Sequence, residues 1–405
     1  MALKKLLNKG TVYKRSDNRW GGMVSYHDEQ GVYRRKSFCA PTKKAVLKKI
    51  GDYIEFFKME IAEADETKKP LRKSMQKWLE VFQYGTVERA TYDRKEDCAK
   101  HYIYPRIGDM IISEITSADL NGILTQMMNE GYSHSTVKHV YSLFKEYFRY
   151  LCYEEHIPKN PMAYVRMIKK ANFLAAQGRE IIARSDAVTV LNDEEIRRLR
   201  EAVFTRNRKG ALKHQQAAAY LLMLNTGLRT GEVLGLLNSD IDLDKRELSV
   251  TRAVKEVSKR DKDGAACGTE LIVGGMKTAA SKRTIPLNST AIEMILILRT
   301  ERYFGADSPL ISNQVGDFTR PSTFRSRWYT LLDFAGISHK GLHSLRHTFA
   351  TRLINGVEDE NGNLKTLTVR QVADLLGHTT SSVTEKYYVR REPNKLCGIT
   401  DEFEL

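Results

Sequence analysis

The N-terminal part of the chain combines short strand-like runs with one helical stripe. Apolar and aromatic residues cluster in three runs separated by turn-forming residues, at residues 11–15, 20–26 and 32–38. Such runs are typical of antiparallel strands. Thr42 can then cap a helix whose apolar positions recur every three or four residues, at Leu47, Ile50, Ile54, Phe57 and Ile61. The pattern predicts a three-stranded sheet plus one helix over residues 1–62.

A charged stretch separates this domain from a helical one. Residues 64–73 have no apolar periodicity and contain Pro70, so we expect a linker there. The apolar positions that follow have helical spacing, for example Tyr141, Phe144, Phe148 and Leu151. We predict a compact domain of four or five helices over residues 74–165, and a second linker at about residues 168–188.

The longest unit, residues 187–405, is mainly helical with a small sheet. Three strand-like runs interrupt its helical pattern, at residues 248–254, 271–273 and 283–287. The fold class predicted for the whole chain is therefore multidomain and mainly α with small β-sheets, and its last domain has an α+β fold.

Charge narrows the classes of function. The sequence of 405 residues has a net charge of +15 and a pI near 9.4. Such a surface attracts polyanions, so nucleic acid is the favoured partner; an unrelated basic enzyme or a protein that contacts acidic lipid is the alternative. Neither a membrane-spanning run nor a signal-peptide run is present, which predicts a cytoplasmic protein without a membrane partner. Five widely spaced cysteines favour neither a disulfide framework nor a structural zinc site.

Basic residues mark two surfaces that could contact DNA. The strands of the N-terminal sheet carry or flank five of them, so the exposed sheet face could enter a major groove: Arg15, Arg19, Arg34, Arg35 and Lys36. The helical domain carries several more that could reach phosphates: Lys95, Lys100, Arg106, His134, Lys138 and Lys145. The alternative for both groups is an ordinary solvated face.

Two segments of the last unit place strongly polar residues inside apolar helical patterns. In residues 221–236, Arg229 has apolar neighbours and needs an anion, and Glu232 can supply part of it, although a purely structural ion pair would look the same. In residues 341–353, His343 and Arg346 lie three apart along one helix edge. His347 either supports this edge or packs in the core, and packing is the simpler interpretation.

A third segment, residues 375–390, ends in two tyrosines. Gly377 is expected to end a helix, which leaves His378 free to turn toward a site. Tyr387 follows nine residues after His378, and Tyr388 comes directly after it. Paired tyrosines are more often core or surface aromatics than nucleophiles, so this segment carries little weight by itself.

Together these segments resemble the integrases of the tyrosine recombinase family. The family pattern is an arginine after a Gly-Leu turn, an HxLRH motif, an LGH motif and a tyrosine nine residues later. The matching residues here are Gly227, Leu228, Arg229, His343 to His347, Leu376, Gly377, His378 and Tyr387. Residues 276–287 are similar to the family's lysine-bearing β-hairpin and place Lys277 at the lysine position, with Lys282 as its rival. An acidic insertion at residues 357–363 is expected to form a surface hairpin.

The resemblance implies a complete set of catalytic residues, Arg229, Lys277, His343, Arg346, His378 and Tyr387, supported by Glu232 and His347. It implies attack by Tyr387 on a DNA phosphate, a 3′-phosphotyrosine intermediate and no cofactor, neither metal nor ATP. Residues 1–62 then look like an arm-type DNA-binding domain, residues 74–165 like a core-site-binding domain and residues 187–405 like the catalytic domain with its C-terminal tail.

The implied function is integration and excision of a mobile element, such as a conjugative transposon or a prophage. The implied partners are double-stranded DNA with core-type and arm-type sites, a homo-tetramer in the synaptic complex, an excisionase and a DNA-bending host protein. A type IB topoisomerase would use the same residues but rejoin the original strand. A catalytically silent DNA-binding protein is the alternative from another class of function.

Overall fold

The computed structural model describes most of the chain. The described residues are 5–6, 10–27, 32–64, 66–179, 189–261, 264–275, 282–358, 364–378, 380, 382, 384 and 385. The chain divides into two compact units, Met1–Ile181 and Ile182–Leu405. No helix within the described residues is long and apolar enough to cross a membrane.

An antiparallel sheet and one helix open the first unit. The strands are β1 (Lys5–Leu6), β2 (Thr11–Lys14), β3 (Trp20–His27) and β4 (Tyr33–Ala40), and the helix is α1 (Lys43–Ala64). The central strand is β3, which pairs with β4 along its whole length and with β2 and β1 along its other edge. The predicted three strands and helix are confirmed, and the short β1 adds a fourth strand.

The packing of α1 corrects its predicted apolar stripe. The hydroxyl of Thr42 accepts a hydrogen bond from the Ala45 amide at 3.3 Å, so the predicted cap is present. The buried positions of α1 include Val46 and Ile50, whereas Leu47 is 50% exposed. At Gly22 on β3, a Cβ atom would lie 2.6 Å from both Val46 and Ile50. The helix can approach β3 this closely because Gly22 has no side chain.

The rest of the first unit contains six α-helices among the residues that the structure describes: α2 (Leu71–Trp78), α3 (Arg89–Cys98), α4 (Tyr104–Ile107), α5 (Ser117–Asn129), α6 (His134–Tyr153) and α7 (Lys170–Ala176). One π-helical turn, Leu79–Gln83, extends α2, and another, Ala99–Ile103, joins α3 to α4. The buried face of α6 includes Phe144, Phe148 and Leu151, which confirms the predicted helical spacing.

Both predicted linkers are wrong in part, because their residues pack against the helical core. Glu66 lies in a short 3₁₀ turn and accepts hydrogen bonds from Lys69 and from the Ser74 hydroxyl, each at 2.6 Å. The hydroxyl of Tyr147 donates to Ser74 at 2.7 Å. In the second predicted linker, Phe173 of α7 is fully buried. The charged composition of these segments did not reveal that single side chains, such as Glu66 and Phe173, attach them to the helical core.

The second unit contains seven helices among its described residues: α8 (Asp193–Phe204), α9 (Ala218–Thr226), α10 (Thr230–Gly235), α11 (Ser289–Glu301), α12 (Pro321–Ala335), α13 (His343–Asn355) and α14 (Val369–Leu376). Its strands are β5 (Ile241–Asp242), β6 (Glu247–Val250), β7 (Arg252–Arg260), β8 (Ala266–Gly275), β9 (Arg283–Pro286), β10 (Val357–Glu358) and β11 (Leu364–Lys365).

The strands of this unit form three separate antiparallel groups. One sheet has the order β5-β6-β9, and β7 pairs with β8 as a two-stranded ribbon. The third group, β10 with β11, confirms the expected hairpin around the acidic insertion. The core is built around α9, whose residues Ala218 to Met223 are all nearly inaccessible to solvent. A helix that is apolar on every side must be enclosed, and α9 is buried at both of its ends, at Ala218 and at Thr226.

We expect the Tyr147→Phe variant to destabilise the helical part of the first unit by about 1 kcal/mol, because a buried hydrogen bond to Ser74 is lost. Amide hydrogen exchange of α6 in the full-length chain measures this as faster exchange. Tyr153→Phe is the matched control on the same helix, since Tyr153 is 82% exposed. Equal exchange rates in the two variants would show that the Ser74 contact contributes no stability.

Candidate active site

Arg346 is the central side chain of the site. It lies on α13, only 1% exposed, although it carries a permanent positive charge. Its Nη1 donates to the Gly227 carbonyl at 2.8 Å and its Nη2 donates to the Leu376 carbonyl at 2.8 Å. These two carbonyls end α9 and α14, where helix carbonyls lack partners within the helix. One guanidinium therefore joins the first, second and third sequence segments.

Left-handed glycines shape both of these helix ends. Gly227 follows α9 with φ of +65°, and Gly377 follows α14 with φ of +66°. A Cβ atom at Gly227 would lie 2.5 Å from the Phe349 ring and 2.9 Å from Leu376. The turn therefore requires glycine for its backbone angle and for the close approach of α13.

His378 lies beside Arg346, as the LGH motif predicted. Its Nε2 is 2.9 Å from Nη2 of Arg346, and its Nδ1 is 2.7 Å from the hydroxyl of the buried Thr384. A guanidinium can only donate, so Nε2 accepts and Nδ1 carries the proton. Burial, followed by the charges of Arg346 and Arg229, lowers the pKa of His378 to about 4. The ring is therefore neutral near pH 7.

Arg229 and Glu232 form the expected ion pair, with a second cation that we did not predict. Glu232 is 1% exposed; its carboxylate accepts from Nη1 of Arg229 at 2.7 Å and from the Arg229 amide at 2.9 Å. Arg283, at the start of β9, donates to the same carboxylate at 2.9 Å. The side chain of Arg229 is 38% exposed, whereas that of Arg283 is 7% exposed. Of these two cations, Arg229 is the one that solvent or a ligand can reach.

Strong electrostatic effects act on Glu232. Burial would raise its pKa, but the hydrogen bond and charge of Arg283, then the amide and charge of Arg229, lower the pKa to about 2. The carboxylate therefore stays ionised over the working range of an enzyme. It neutralises part of the positive charge without using the exposed edge of Arg229.

His343 and His347 lie one turn apart on α13. Their rings meet edge to face with centroids 4.4 Å apart. Burial lowers the pKa of both rings, that of His347 to about 4; the charges of Arg346 and Arg229 lower the pKa of His343 further. Solvent still reaches His343, while His347 is only partly exposed. The geometry fits a neutral base at His343 and a packed supporting ring at His347.

The remaining predicted catalytic residues lie outside the described residues. Lys277, Tyr387 and Tyr388 belong to this group, as does the C-terminal tail. Lys282, the rival of Lys277, is described and exposed one residue before β9. The structure thus brings together Arg229, His343, Arg346 and His378, with Glu232 and His347 beside them.

Sequence reasoning missed two side chains of this cluster, Arg283 and Thr384. A signal existed for Arg283, because Ile285, two residues later on the same strand, is buried on the same side. A cation two residues before a core position on a short strand predicts a buried ion pair. No comparable signal marks Thr384, whose hydroxyl acquires its partner only through the fold.

The expected DNA contacts differ in their surroundings. Four helical-domain residues have protein partners: the Lys95 ammonium contacts Glu146 at 2.7 Å, the Lys100 ammonium contacts Glu96 at 3.1 Å, Arg106 pairs with Glu130, and the His134 ring contacts the Ile168 carbonyl at 3.0 Å. These contacts hold the four side chains within the protein, and contact with phosphate stays a prediction for all of them. Lys100, Lys138 and Lys145 are exposed.

The basic residues of the sheet divide between its two faces. Arg35 is paired with Ser25 on the face away from α1, whereas Arg34 and Lys36 are paired with Tyr26 and Val24, on the α1 side. All three are exposed. Arg15 and Arg19 both lie within ion-pair distance of Asp17 in the turn between β2 and β3. The sequence predicted one basic face, but these five residues do not lie on a single face of the sheet.

Comparison with known proteins gives the family. The model described as "Phage integrase family" matches residues 189–395, just over half of the chain. The chain belongs to this family. A second model, "Phage integrase, N-terminal SAM-like domain", matches residues 71–128 in the helical part of the first unit. The family predicted from the catalytic motifs is confirmed.

Individual relatives and structures agree with this membership. A "Tyrosine recombinase XerC-like" protein of Caldanaerobacter subterraneus subsp. tengcongensis is 29% identical over 381 residues, 91% of each chain. The integrase of Mycobacterium phage L5 is 26% identical over 332 residues, 80% of this chain and 76% of the phage protein.

Two solved structures share the fold. The Tn1549 transposon integrase in complex with a circular intermediate DNA has a TM-score of 0.61 and 18% identity, covering 83% of this chain and 100% of that one. A lambda integrase dimer bound to a core site has a TM-score of 0.54 and 18% identity, covering 94% and 95%. The multidomain, mainly α fold class is thereby confirmed.

We expect Gly227→Ala to destabilise the second unit by about 2–5 kcal/mol, combining about 1–2 for left-handed alanine with about 1–3 for overpacking against Phe349. Gly336→Ala is the matched control, because Gly336 also ends a helix, with φ of +64°, but its nearest neighbour is an Arg198 nitrogen at 3.6 Å. The free energy of unfolding of both variants is measured by urea titration, with amide hydrogen exchange of α9 as the signal. Equal losses would show that the close approach of α13 adds no constraint.

Proposed function

We propose that this member of the phage integrase family is a site-specific DNA recombinase that cleaves and rejoins DNA through a 3′-phosphotyrosine intermediate. The observation that carries the proposal is the position of Arg346, whose guanidinium is held by the ends of α9 and α14 beside His378. Arg229 lies close enough for its charge to act on both His343 and His378. This is a cationic pocket built for an anion such as a phosphodiester.

The proposed reaction conserves bonds and charge. Tyr387 gives its phenolic proton to His343, and the phenolate oxygen attacks phosphorus. The bond from phosphorus to the 5′ oxygen breaks, and Lys277 protonates that leaving oxygen to give a free 5′-hydroxyl. The guanidinium groups of Arg229 and Arg346 stabilise the charge that develops on the non-bridging oxygens. A 5′-hydroxyl of a partner strand reverses the same steps, so the reaction needs no ATP.

The lowered pKa values suit these roles. His343 must be neutral to accept a proton, and its surroundings favour the neutral ring. His378 accepts from Arg346 through Nε2. In this arrangement it contributes by orienting Arg346, and direct donation to phosphate would require the proton to move from Nδ1 to Nε2.

The open face of the N-terminal sheet fits binding to arm-type DNA. Nε of Arg35 donates to the Tyr33 hydroxyl at 2.7 Å, and that hydroxyl donates to Ser25 at 3.0 Å. The guanidinium is thereby oriented while its two terminal nitrogens have no protein partner among the described residues. A guanidinium fork of this kind suits the O6 and N7 atoms of guanine in a major groove.

The wider assembly follows from the proposed reaction. Strand exchange requires two DNA segments, and the homo-tetramer, the core-type sites, an excisionase and a DNA-bending host protein are proposed partners. Residues 1–62 would bind arm-type sites and residues 74–165 core-type sites, in a cytoplasmic enzyme that moves a conjugative transposon or prophage. A type IB topoisomerase remains the second candidate, since it would use the same chemistry; the separate N-terminal sheet favours an integrase.

We expect Tyr387→Phe to abolish the covalent adduct with a nicked suicide duplex from the ends of the mobile element, because phenylalanine lacks the attacking oxygen. Denaturing gel electrophoresis detects the adduct. Tyr388→Phe is the neighbouring control and should keep the adduct. An adduct that survives in Tyr387→Phe would refute this nucleophile, and relaxation of plasmid without strand exchange would favour the topoisomerase.

We expect Arg35→Ala to weaken binding to a duplex selected from a random library by about 1–3 kcal/mol while binding to scrambled duplex changes little, because one base contact is lost. The comparison variant is Lys36→Ala, one position away on the α1 side of the sheet, which should leave the ratio of specific to scrambled binding unchanged. Fluorescence anisotropy with the full-length chain measures both ratios. An unchanged ratio in Arg35→Ala would refute base readout by this residue.

A further inference from the structure

Arg283 occupies a position that the proposed reaction does not yet use. Its side chain is 7% exposed, and its Nη2 and Nη1 donate to the Glu232 carboxylate at 2.9 and 3.3 Å. Its Nε donates to the Leu375 carbonyl at 2.8 Å. One guanidinium thus uses three nitrogens to join β9, α10 and α14.

Each partner of Arg283 is linked to one of the two arginines that are proposed to bind the phosphate. Glu232 also holds Arg229 through both its side chain and its amide. Leu375 precedes Leu376, whose carbonyl holds Arg346. Displacement of Arg283 would therefore move both arginines that are proposed to bind the phosphate. Arg229 would shift through its contact with Glu232, and Arg346 would shift through the end of α14.

We propose that Arg283 is a positioning residue for DNA cleavage, which holds the Glu232 carboxylate and the end of α14 so that Arg229 and Arg346 converge on one phosphate. The inference rests on the proposed function and deepens it. Arginine fits this position because its planar fork reaches a carboxylate and a carbonyl at fixed angles. Lysine has a single charged nitrogen on a flexible stem and cannot reproduce that geometry.

The ionised state of Glu232 depends on both neighbouring arginines, Arg229 and Arg283. Glu232 faces Arg229 from its own helix, Arg283 from β9 and His343 from α13, and Arg346 and His378 lie in the surrounding cluster. With both arginines present, the carboxylate is compensated despite its burial. Without Arg283, burial acts against the charged form and Arg229 alone must compensate it.

The pH dependence has a definite sign. The pKa of Glu232, about 2, lies below its ordinary value of 4.5, so the charged carboxylate is fully present above pH 4.5 and is lost as pH falls toward 2. Loss of Arg283 moves the pKa of Glu232 upward. Protonated Glu232 can no longer hold Arg229 by charge, so cleavage by such a variant should decline at a higher pH than cleavage by the wild type.

The test measures single-turnover formation of the covalent adduct by the full-length chain, on the nicked duplex, over a pH series from about 5 to 8. We expect Arg283→Met to cleave roughly 100-fold more slowly, the effect of a small misplacement of catalytic groups. Its rate should also begin to fall at a higher pH than the wild-type rate, whose decline toward acid pH comes from protonation of His343 alone. The double variant Arg283→Met with Glu232→Gln should lose this additional decline, because the titrating carboxylate is gone.

Controls separate positioning from folding. Arg283→Lys retains a positive charge and should form adduct faster than Arg283→Met but roughly 10-fold more slowly than the wild type, with unchanged DNA affinity. It carries the test if Arg283→Met fails to fold. Wild-type rates in Arg283→Lys, or a pH profile of Arg283→Met that matches the wild type, would overturn the inference. Absence of adduct from the wild type would instead refute the proposed function.

Discussion

The second unit depends on the burial of a charged guanidinium at Arg346. Removing such a group from water is costly unless fixed acceptors replace the lost hydration. Gly227, Leu376 and His378 provide those acceptors; Gly227 belongs to the first of the three polar segments, and Leu376 and His378 both belong to the third. The same demand explains why α9 and α14 end where they do, since both helices present terminal carbonyls to one side chain. The requirement that a buried cation be satisfied thus brings these two segments against α13.

Glu232 adds a second constraint, because its one carboxylate fixes the positions of two arginines, one accessible to solvent and one buried. The carboxylate is shared by Arg229, which solvent reaches, and by Arg283, which is enclosed. A single buried anion therefore anchors one arginine toward the ligand side and another toward the core. This arrangement leaves Arg229 at the exposed edge of the cluster and places Arg283 beside the core.

The first unit shows how local composition conceals packing. The charged residues around Glu66 look like a solvent-exposed connection, yet Ser74 and Tyr147 fix them to α6. In the sheet, the strand periodicity identified the basic residues but not their faces. The close approach of α1 at Gly22 decides which face is covered, and Arg35 lies on the opposite side from Arg34 and Lys36 as a result.

The sequence by itself determined the order of the elements, the family and the candidate polar residues of the site. Burying a polar or charged side chain such as Arg229, His343 or Arg346 costs free energy unless it has a partner, so these residues stand out within an apolar helical pattern. It also predicted the helix-ending glycines, since few other residues tolerate a left-handed backbone. Only the tertiary structure decided that Arg346 joins two helix ends, that His378 accepts rather than donates, and that Arg283 shares Glu232. These contacts join residues 30 to 119 positions apart, and no local pattern encodes which distant carbonyl or carboxylate will lie within 3 Å of a given nitrogen.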